Sequence, residues 1–418
     1  MKALFLHQNC PGQFKHLAPR LAAMDGNEVV FVTRPGKPDL PGVRKLEYKP
    51  ARAVAPSTHR YLRLMEEGIL NGQAVARVAT QLKTDGFRPD IIVAHMGWGE
   101  ALYVKPVWPG VPLLGYFEWY YRPRGSDVDF DSQPSLDDVC RIQTRNGLHL
   151  LNLEIADRGI TPTRWQLRQH PGEYHHKISV IHDGVDTDHV RPNPEVTGTL
   201  KAGVRFRAGD EVITYVARNL EPYRGFPSFI RAAALILKRR PRAHIVVVGG
   251  DGASYGRLPA DGRSFREHLL GEVELDLDRI HFLGRVKYDV FLRILQISAV
   301  HVYLTVPFVL SWSLLEAMAA GCLVIGSRTP PVEEVITDGK NGLLVDFFSP
   351  EDIANRVDQA LNHPDRMARI RRAARQTVLD HYALDACLQK QLQLMSEVAR
   401  GASVRRPAKA AKVARGRG

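Results

Sequence analysis

Short apolar runs alternate with amphipathic stretches along most of the chain. Runs typical of strands are KALFLH, EVVFVTR, DIIVAH, VPLLGYFEW, RGIT and KISVIHDG, followed in the second half by EVITYVAR, AHIVVVGG, RIHFLGR, AVHVYLT, CLVIGS and GLLVDF. Stretches such as FPSFIRAAALILKRR and SWSLLEAMAAG between them have helical spacing. Ser349, Pro350 and Asp352 predict the start of a later helix, with Asp352 at the capping-box position. Apolar strands that alternate with helices predict an α/β fold with helix-covered parallel sheets.

The series of strands restarts after a stretch rich in Pro, Gly and Asp, DGVDTDHVRPNPEVTGTL. We therefore predict two doubly wound, Rossmann-like domains that face each other across a cleft, over residues 1–185 and 186–380. Residues 381–400 are expected to form a terminal helix that packs back on the first domain. Residues 401–418 are expected to form a disordered basic tail.

Composition excludes several classes of protein. Hydrophobic residues make up 44% of the chain, as in ordinary globular proteins. The longest apolar region, 299–326, is interrupted by His301, Pro307 and Glu316, so it predicts buried strands and a helix rather than a membrane span. The four cysteines form no C-x-x-C pair, which argues against a zinc site or a disulfide framework. A cytosolic location is expected.

Much of the positive charge is concentrated at the end of the chain. The net charge is +12, and the last 18 residues carry six Lys or Arg and no acid. Such a run predicts a solvated terminus. The alternative is weak contact with anionic headgroups at the inner face of the membrane. No aromatic residue interleaves these cations, so specific nucleic-acid binding is not predicted.

Ligands of open parallel sheets bind beyond the carboxyl ends of the strands, and candidate residues occur there. Arg218 and Arg224, in YVARNLEPYRGF, lie six positions apart between a strand and a helix. Two guanidinium groups could clamp a diphosphate, with Gly225 and the helix N-terminus beside them. The alternative is a pair of surface arginines that interact with Glu221 and solvent.

Two further turns of the second half follow strands. Gly250 and Asp251, in IVVVGGDG, could bring main-chain amides near a ligand, but the turn is not G-x-G-x-x-G. Glu316 lies about one turn into the apolar helix SWSLLEAMAAG. A buried carboxylate is costly unless it is bonded, and a ribose diol would supply two donors. The alternative is a salt bridge to a neighbouring arginine.

In the first half, His95 ends the strand IIVAH and Gly12 ends the loop after the first strand. His95 could bond a sugar hydroxyl or transfer a proton, or it is a satisfied histidine at a strand end. Backbone amides near Gly12 could meet a phosphate or an acceptor.

The segment 125–138 contains Asp127, Asp129 and Asp131 in a D-x-D-x-D pattern. Sugar transferases of another fold use D-x-D to hold a metal and a diphosphate. The pattern also arises by chance, as in LDLD at 275–278, so we interpret the segment as a solvated loop and predict no metal site.

The second half resembles the GT-B glycosyltransferases of family 4, the retaining group 1 enzymes that use nucleotide sugars. The resemblance covers roughly residues 178–362 and is carried by VIHDGVDTDHVRP, ARNLEPYRGF, GGDG, FLGRV, SLLEAMAAGCLVIGS and PPVEEVITDGKNGLLVD. FLHQNCPGQFKHLAPRLAA and VAHMGWGEALYVK in the first half are similar to a subset of these enzymes.

This resemblance implies a role for each matching residue. The two arginines would hold the departing diphosphate and Glu316 the donor ribose. The implied catalytic residues are His95, Arg218 and Arg224. The implied donor-binding residues are Arg218, Arg224, Gly225, Gly250, Asp251, Val286, Ser311 and Glu316. The implied acceptor-side residues are Gly12, His95 and Glu118.

One position departs from the family pattern E-x7-E, because Phe308 stands where the first Glu is expected. Phenylalanine cannot accept a sugar hydroxyl, although main-chain groups of 309–311 could. We expect a retaining, metal-independent transferase with no cofactor beyond its nucleotide diphosphate sugar co-substrate. Its acceptor would be a hydroxyl of a glycan, a lipid-linked molecule or a small molecule. The alternative, which Phe308 favours, is a non-catalytic nucleotide-sugar-binding or scaffold protein.

Overall fold

The chain forms two compact units, each built on a parallel sheet. A computed structural model describes residues 1–199, 203–256 and 258–404. The first unit comprises 1–121, 134–183 and the chain from 388; the second comprises 122–133 and 184–387.

The first unit contains a seven-stranded parallel sheet in the order β3-β2-β1-β4-β5-β6-β7. Its strands are β1 Lys2–Leu6, β2 Glu28–Thr33, β3 Arg44–Glu47, β4 Ile91–His95, β5 Leu113–Tyr116, β6 Arg158–Thr161 and β7 Ile178–Val180. Its helices are α1 Leu17–Ala22, α2 Arg63–Thr84, α3 Val104–Val107, α4 Leu136–Ile155 and α5 Arg164–Gln169. β4 and β5 are buried along their whole length, as expected for central strands covered on both faces.

The second unit contains a six-stranded parallel sheet in the order β12-β11-β10-β13-β14-β15, and a separate antiparallel pair, β8 and β9. Its strands are β8 Thr197–Thr199, β9 Arg205–Arg207, β10 Val212–Asn219, β11 His244–Gly250, β12 Ile280–Phe282, β13 Val300–Tyr303, β14 Leu323–Ser327 and β15 Leu343–Val345. Its helices are α6 Phe226–Arg239, α7 Phe265–Glu272, α8 Tyr288–Ile297, α9 Trp312–Ala319, α10 Pro330–Glu333, α11 Pro350–Asn362 and α12 Pro364–His381. A last helix, α13 Leu384–Val404, begins in the second unit and continues into the first.

The order of strands reverses once in each sheet, between β1 and β4 in the first unit and between β10 and β13 in the second. At such a reversal the chain leaves the two neighbouring strands in opposite directions, which opens a crevice at their carboxyl ends. Residues that directly follow these four strands are therefore placed to meet a ligand.

The predicted α/β architecture with two doubly wound parallel sheets is confirmed. The edge strand β3 was not predicted, because its sequence RKLE is half exposed and has no apolar run. The short pair β8 and β9 was also missed. Ser349 Oγ accepts a hydrogen bond from Asp352 N as expected, but the Asp352 carboxylate accepts from Asp346 N, so no reciprocal capping box forms.

One region groups differently from the predicted division of the chain, and the terminal helix contacts the first unit as predicted. Residues 122–133 group with the second unit, although the sequence places them inside 1–185. In α13, Gln391 Nε2 donates to the carbonyl oxygen of His182, a contact within the first unit. The predicted tail, 401–418, lies almost entirely outside the described residues. In the described part of the chain, no helix combines the length and the hydropathy of a membrane span.

Candidate active site

Arg224 lies at the β10–β13 reversal of the second unit. It ends a short 3-10 turn, Pro222–Arg224, that follows β10. Its Nη1 donates a 2.8 Å hydrogen bond to Oγ1 of Thr305, which follows β13. The guanidinium therefore bridges the loops that leave the two strands, where the sheet topology places a ligand crevice.

The Arg224 side chain is buried, with 9% exposure, and its guanidinium carbon lies 5.3 Å from the ring centre of Tyr255. Among the described residues it forms no ion pair with a carboxylate. Buried charges in proteins are normally paired. The Glu221 carboxylate interacts with Arg224 electrostatically but forms no ion pair with it, so the guanidinium can still bind an anionic ligand.

Arg218 lies near the end of β10 rather than in the following turn, and its side chain is exposed. It makes no hydrogen bond or ion pair within the described part of the chain. The sequence interpretation of two arginines in one turn is thus corrected: one is on the strand and the other is in the turn.

Gly225 joins the turn to α6 through a left-handed backbone conformation, with φ of +67°. A Cβ atom there would lie 2.5 Å from Cβ of Leu304 and 3.1 Å from Phe347, so only glycine fits without displacement. The close packing sets the N-terminus of α6 directly after Arg224, and helix N-termini favour anions.

Glu221 connects the loop after β11 to the Arg224 turn through hydrogen bonds. Its carboxylate is fully buried, and Oε2 accepts hydrogen bonds from the backbone amides of Ser254 and Tyr255, both at 2.9 Å. Burial raises the pKa of Glu221 above its usual value, although these amides oppose the shift. The alternative pairing of surface arginines with Glu221 is not what the structure shows, because the carboxylate binds main-chain amides.

The remaining donor-side candidates border the same loops. Gly250 packs against Asn219 and Arg285, whose side chains hydrogen-bond each other at 3.1 Å. Asp251 forms an ion pair with Arg266 at 2.7 Å. Val286 packs into the hydrophobic cluster beneath β11. Arg285 was not singled out from the sequence, although the motif FLGRV contains it.

Glu316 occupies the buried side of α9 and is 9% exposed. Its Oε1 accepts a 2.8 Å hydrogen bond from the Tyr288 hydroxyl at the start of α8. Ser311 caps α9, and its side chain accepts from the amide of Ser313. The Tyr288 hydroxyl is thus one partner of the Glu316 carboxylate.

Phe308 belongs to a cluster of three aromatic rings beside Arg224. Its ring centre lies 5.0 Å from that of Tyr255 and 5.9 Å from that of Tyr223. Tyr223 and Tyr255 are themselves stacked at 5.4 Å. The position that would carry a carboxylate in the family pattern therefore contributes apolar surface next to the guanidinium.

In the first unit, four polar side chains form a network at the β1–β4 reversal. His95 Nε2 lies 3.2 Å from Glu118 Oε2, and Gln13 Nε2 donates to Glu118 Oε1 at 3.1 Å. Gln13 Oε1 lies 2.8 Å from Nε2 of His7, and the two imidazole rings are 4.5 Å apart. Burial, reinforced by the neighbouring His95, lowers the pKa of His7 well below its usual value.

Gly12 supports this network by close approach. Its φ is +50°, and a Cβ atom there would lie 2.6 Å from the His7 ring. His7 and Gln13 were not identified from the sequence. The available signal was their position, because both flank the first strand-to-helix loop, as Gly12 does.

A pocket opens beside His95 and Glu118 within the first unit. Its lining comprises His95, Met96, Gly97, Trp98, Phe117, Glu118, Trp119, Tyr121, Arg145 and His149. Trp119 and Tyr120 are mostly buried, at 5% and 8% exposure. Trp98 and Tyr121 are less buried and leave ring surface at the pocket.

The D-x-D-x-D segment is not simply a solvated loop. Asp127 is buried, Asp129 accepts hydrogen bonds from the amides of Gly125 and Ser126, and only Asp131 is exposed. Ser135 and Asp138 form a capping box at the start of α4, so the end of the segment is helical. Over the described residues, no group of three or more His, Cys, Asp or Glu side chains could hold a metal.

Comparisons with known families agree with this architecture. The family described as "Glycosyl transferase family 4 group" matches residues 25–190, and "Glycosyl transferases group 1" matches residues 198–377. Anabaena HepE in complex with UDP-glucose has a similar fold, with a TM-score of 0.67 and 17% identity over 95% of this chain and 100% of that one. Sucrose-phosphate synthase from Thermosynechococcus elongatus gives a TM-score of 0.73 and 18% identity over 96% and 100% of the two chains.

The similar proteins also have names of glycosyltransferases. A D-inositol 3-phosphate glycosyltransferase of Rhodococcus jostii is 28% identical over 211 residues, 49% of this chain and 44% of that protein. Its namesake in Thermobispora bispora is 24% identical over 84% of this chain and 81% of that protein. The chain thus spans less than half the length of the Rhodococcus relative that it matches.

The two parallel sheets, with candidate residues at both strand reversals, define a GT-B fold. The two family matches together span most of the chain, from residue 25 to residue 377. The chain belongs to the family 4 glycosyltransferases, as the sequence motifs indicated.

Proposed function

We propose that this protein is a retaining glycosyltransferase that moves a sugar from a nucleotide diphosphate sugar to a hydroxyl acceptor. The observation that carries the proposal is the buried guanidinium of Arg224, which lies at a strand reversal beside a helix N-terminus and has no carboxylate ion pair among the described residues. A departing diphosphate has the charge and the oxygen geometry that this group binds.

Arg224 and Arg218 would stabilise the negative charge that develops on the diphosphate as its bond to the sugar breaks, which is electrostatic catalysis without a metal. Glu316, oriented by Tyr288, would accept hydrogen bonds from the donor ribose. In the first unit, His95 and Glu118 would bind the acceptor hydroxyl and receive its proton. Retention rests on family membership, because the chain matches the group 1 enzymes.

The acceptor class is open, and the names of the relatives suggest where to begin. Two of them are D-inositol 3-phosphate glycosyltransferases, and a Mycolicibacterium smegmatis relative is a GDP-mannose-dependent phosphatidylinositol monomannoside mannosyltransferase, 28% identical over 48% of this chain and 51% of that protein. Inositol phosphates, with UDP- and GDP-sugars as donors, are therefore the first substrates to test. We propose a cytosolic location with a solvated basic tail; weak contact of that tail with anionic headgroups is the alternative.

The test is to incubate the purified protein with UDP-glucose and GDP-mannose, with and without inositol phosphates. NMR would follow nucleoside diphosphate release and the anomeric configuration of the product. We expect release that survives EDTA and is lost in Arg224→Ala, and a product with the donor's configuration. An inverted product would refute retention, and activity that EDTA removes and added metal restores would refute metal independence.

A second candidate function is a non-catalytic nucleotide-sugar-binding or scaffold protein, which Phe308 favours because its ring offers no acceptor for a sugar hydroxyl. In this case the folded protein would bind a nucleoside diphosphate but release none from any donor sugar.

A further inference from the structure

The acidic segment 122–133 carries a buried carboxylate that the proposed reaction does not use. Asp127 is 9% exposed, whereas Asp131 in the same segment is exposed. Asp127 Oδ2 accepts a 2.7 Å hydrogen bond from the hydroxyl of Tyr223. Because burying a carboxylate is costly unless it is hydrogen-bonded, this contact helps to fix the position of the segment.

The segment also has hydrogen-bonded structure of its own. Asp129 accepts from the amides of Gly125 at 2.9 Å and Ser126 at 3.1 Å, and Ser126 Oγ donates to the carbonyl oxygen of Arg122. These local bonds hold the backbone on both sides of Asp127. The segment can therefore present the Asp127 carboxylate in a defined place.

A second contact joins the other end of the segment to the same region. The ring centre of Phe130 lies 5.1 Å from that of Phe347 and 5.0 Å from that of Phe348. Phe347 packs against Gly225, where even an added Cβ atom would come within 3.1 Å of its ring. Phe130 thus supports the backbone at Gly225 through Phe347.

The two contacts act on both chain neighbours of Arg224, which are Tyr223 and Gly225. We propose that the segment 122–133 holds the Arg224 turn in the conformation that binds a diphosphate, with Asp127 as the positioning residue. This inference rests on the proposed function, because it takes a diphosphate as the ligand of the turn. The segment lies in the part of the chain that matches the family 4 group, residues 25–190, whereas Arg224 lies in the part that matches the group 1 enzymes, residues 198–377.

Calorimetric titration with inorganic pyrophosphate, UDP and GDP tests the proposal, with uridine and guanosine as nucleoside controls. We expect Asp127→Ala to weaken the binding of pyrophosphate about five- to tenfold, as for the loss of one typical hydrogen bond. The same loss is expected for whichever nucleoside diphosphate the unmodified chain binds. Asp127→Asn keeps an acceptor for the Tyr223 hydroxyl and should stay within about twofold. The matched control Asp131→Ala, in the same segment but exposed, should leave every affinity unchanged.

Tyr223→Phe provides a second route, because it removes the donor and keeps the ring. Tyr223→Phe should lose as much affinity for pyrophosphate as Asp127→Ala does. The double variant Asp127→Ala/Tyr223→Phe should lose no more affinity than either single variant. Thermal melting checks that each variant is folded.

Three results would overturn the proposal: equal affinities for Asp127→Ala and Asp131→Ala, additive losses in the double variant, or loss of nucleoside and diphosphate binding to the same degree. Failure of the diphosphate site itself looks different, because the unmodified chain would then bind neither pyrophosphate nor UDP nor GDP. Failure of sugar transfer alone would leave this binding intact and would appear only as the absence of nucleoside diphosphate release from a donor sugar.

Discussion

Both units place their candidate residues where the order of strands reverses, but the two sites satisfy their polar groups differently. In the first unit, the polar side chains bond to one another in one network, which comprises His7, Gln13, Glu118 and His95. In the second unit, the Arg224 guanidinium is buried with hydroxyl and aromatic neighbours but with no carboxylate ion pair in the described residues.

This difference separates two kinds of preorganisation. Side chains that hydrogen-bond to one another hold each other in a fixed arrangement. A neutral ligand can bind there by replacing one of these hydrogen bonds with its own. A site with a buried cation that has no carboxylate ion pair gains most from an anion. The first arrangement suits a hydroxyl acceptor, and the second arrangement suits a diphosphate. These are the roles proposed above for the first and the second unit.

The largest expected effect comes from removing the buried cation. Arg224→Ala should weaken binding of a nucleoside diphosphate about 100-fold, because charge-assisted hydrogen bonds contribute about 1.5–3 kcal/mol each. Binding of the matching nucleoside should change less than about twofold. Calorimetric titration measures both affinities.

Arg231→Ala is the matched control, because Arg231 is an exposed residue of α6 that pairs with Glu272. It should leave diphosphate binding unchanged. Parallel losses of diphosphate and nucleoside in Arg224→Ala would refute the assignment of this arginine to the diphosphate.

The network of the first unit should be sensitive to crowding at Gly12. Gly12→Ala and Gly26→Ala both place a side chain in the left-handed region, at φ of +50° and +75°. Only the first brings Cβ within 2.6 Å of the His7 ring, whereas the second meets nothing within 4 Å. Backbone strain should cost each variant about 1–2 kcal/mol, and crowding a further 1–3 kcal/mol or so in Gly12→Ala.

Urea unfolding measures the free energy of unfolding of both variants. Equal destabilisation by the two substitutions would show that the close approach of Gly12 to His7 has no energetic consequence.

Buried histidines should make the fold sensitive to acid. In the second unit His301 is fully buried against the hydroxyl of Thr214, and burial lowers its pKa to about 3 from 6.5. A neutral buried histidine stabilises the fold above the unfolded-state pKa, and this contribution is lost as the pH falls from about 6.5 towards 3. Between pH 7 and pH 5 the loss should be about 2 kcal/mol.

Urea unfolding at the two pH values tests this account. His301→Gln, whose side chain does not titrate, should lose about 2 kcal/mol less than the unmodified protein over the same interval. An unchanged pH dependence in a folded His301→Gln variant would exclude this histidine as the source.

The smallest expected effect concerns the ribose. Glu316→Gln should weaken UDP or GDP binding about five- to tenfold, because a charged acceptor for two hydroxyls becomes a neutral amide. Binding of the corresponding 2′,3′-dideoxynucleotide should not change, because the analogue has no hydroxyls to donate. Equal losses for both nucleotides would place Glu316 elsewhere than at the ribose.

The architecture was predictable because its signals are local. Central strands such as IIVAH are apolar up to their last residue, and turns rich in glycine mark where they end. The residues after β4, β10 and β13 could therefore be placed at the sheet edge, although their ligands stay predictions. β3 was missed because a half-exposed edge strand needs no apolar run.

Contacts between distant parts of the chain were not predictable. His7 and Gln13 become part of a site only when β1 and β4 pair, which brings residues about 90 positions apart together. Likewise, nothing in the local sequence distinguishes Asp127 from Asp131, yet the first is buried and bonded to Tyr223, whereas the second is exposed. Contacts between residues distant in the sequence determine which side chains form a site or become buried. A single sequence carries no direct signal for such contacts.

The most direct test of the central claim is calorimetric titration of the unmodified protein with UDP, GDP, ADP and TDP, each beside its nucleoside. The account predicts that one diphosphate binds much more tightly than its own nucleoside, because Arg224 and Arg218 hold the phosphates. A folded protein that binds none of the four diphosphates more tightly than the nucleosides would contradict the account.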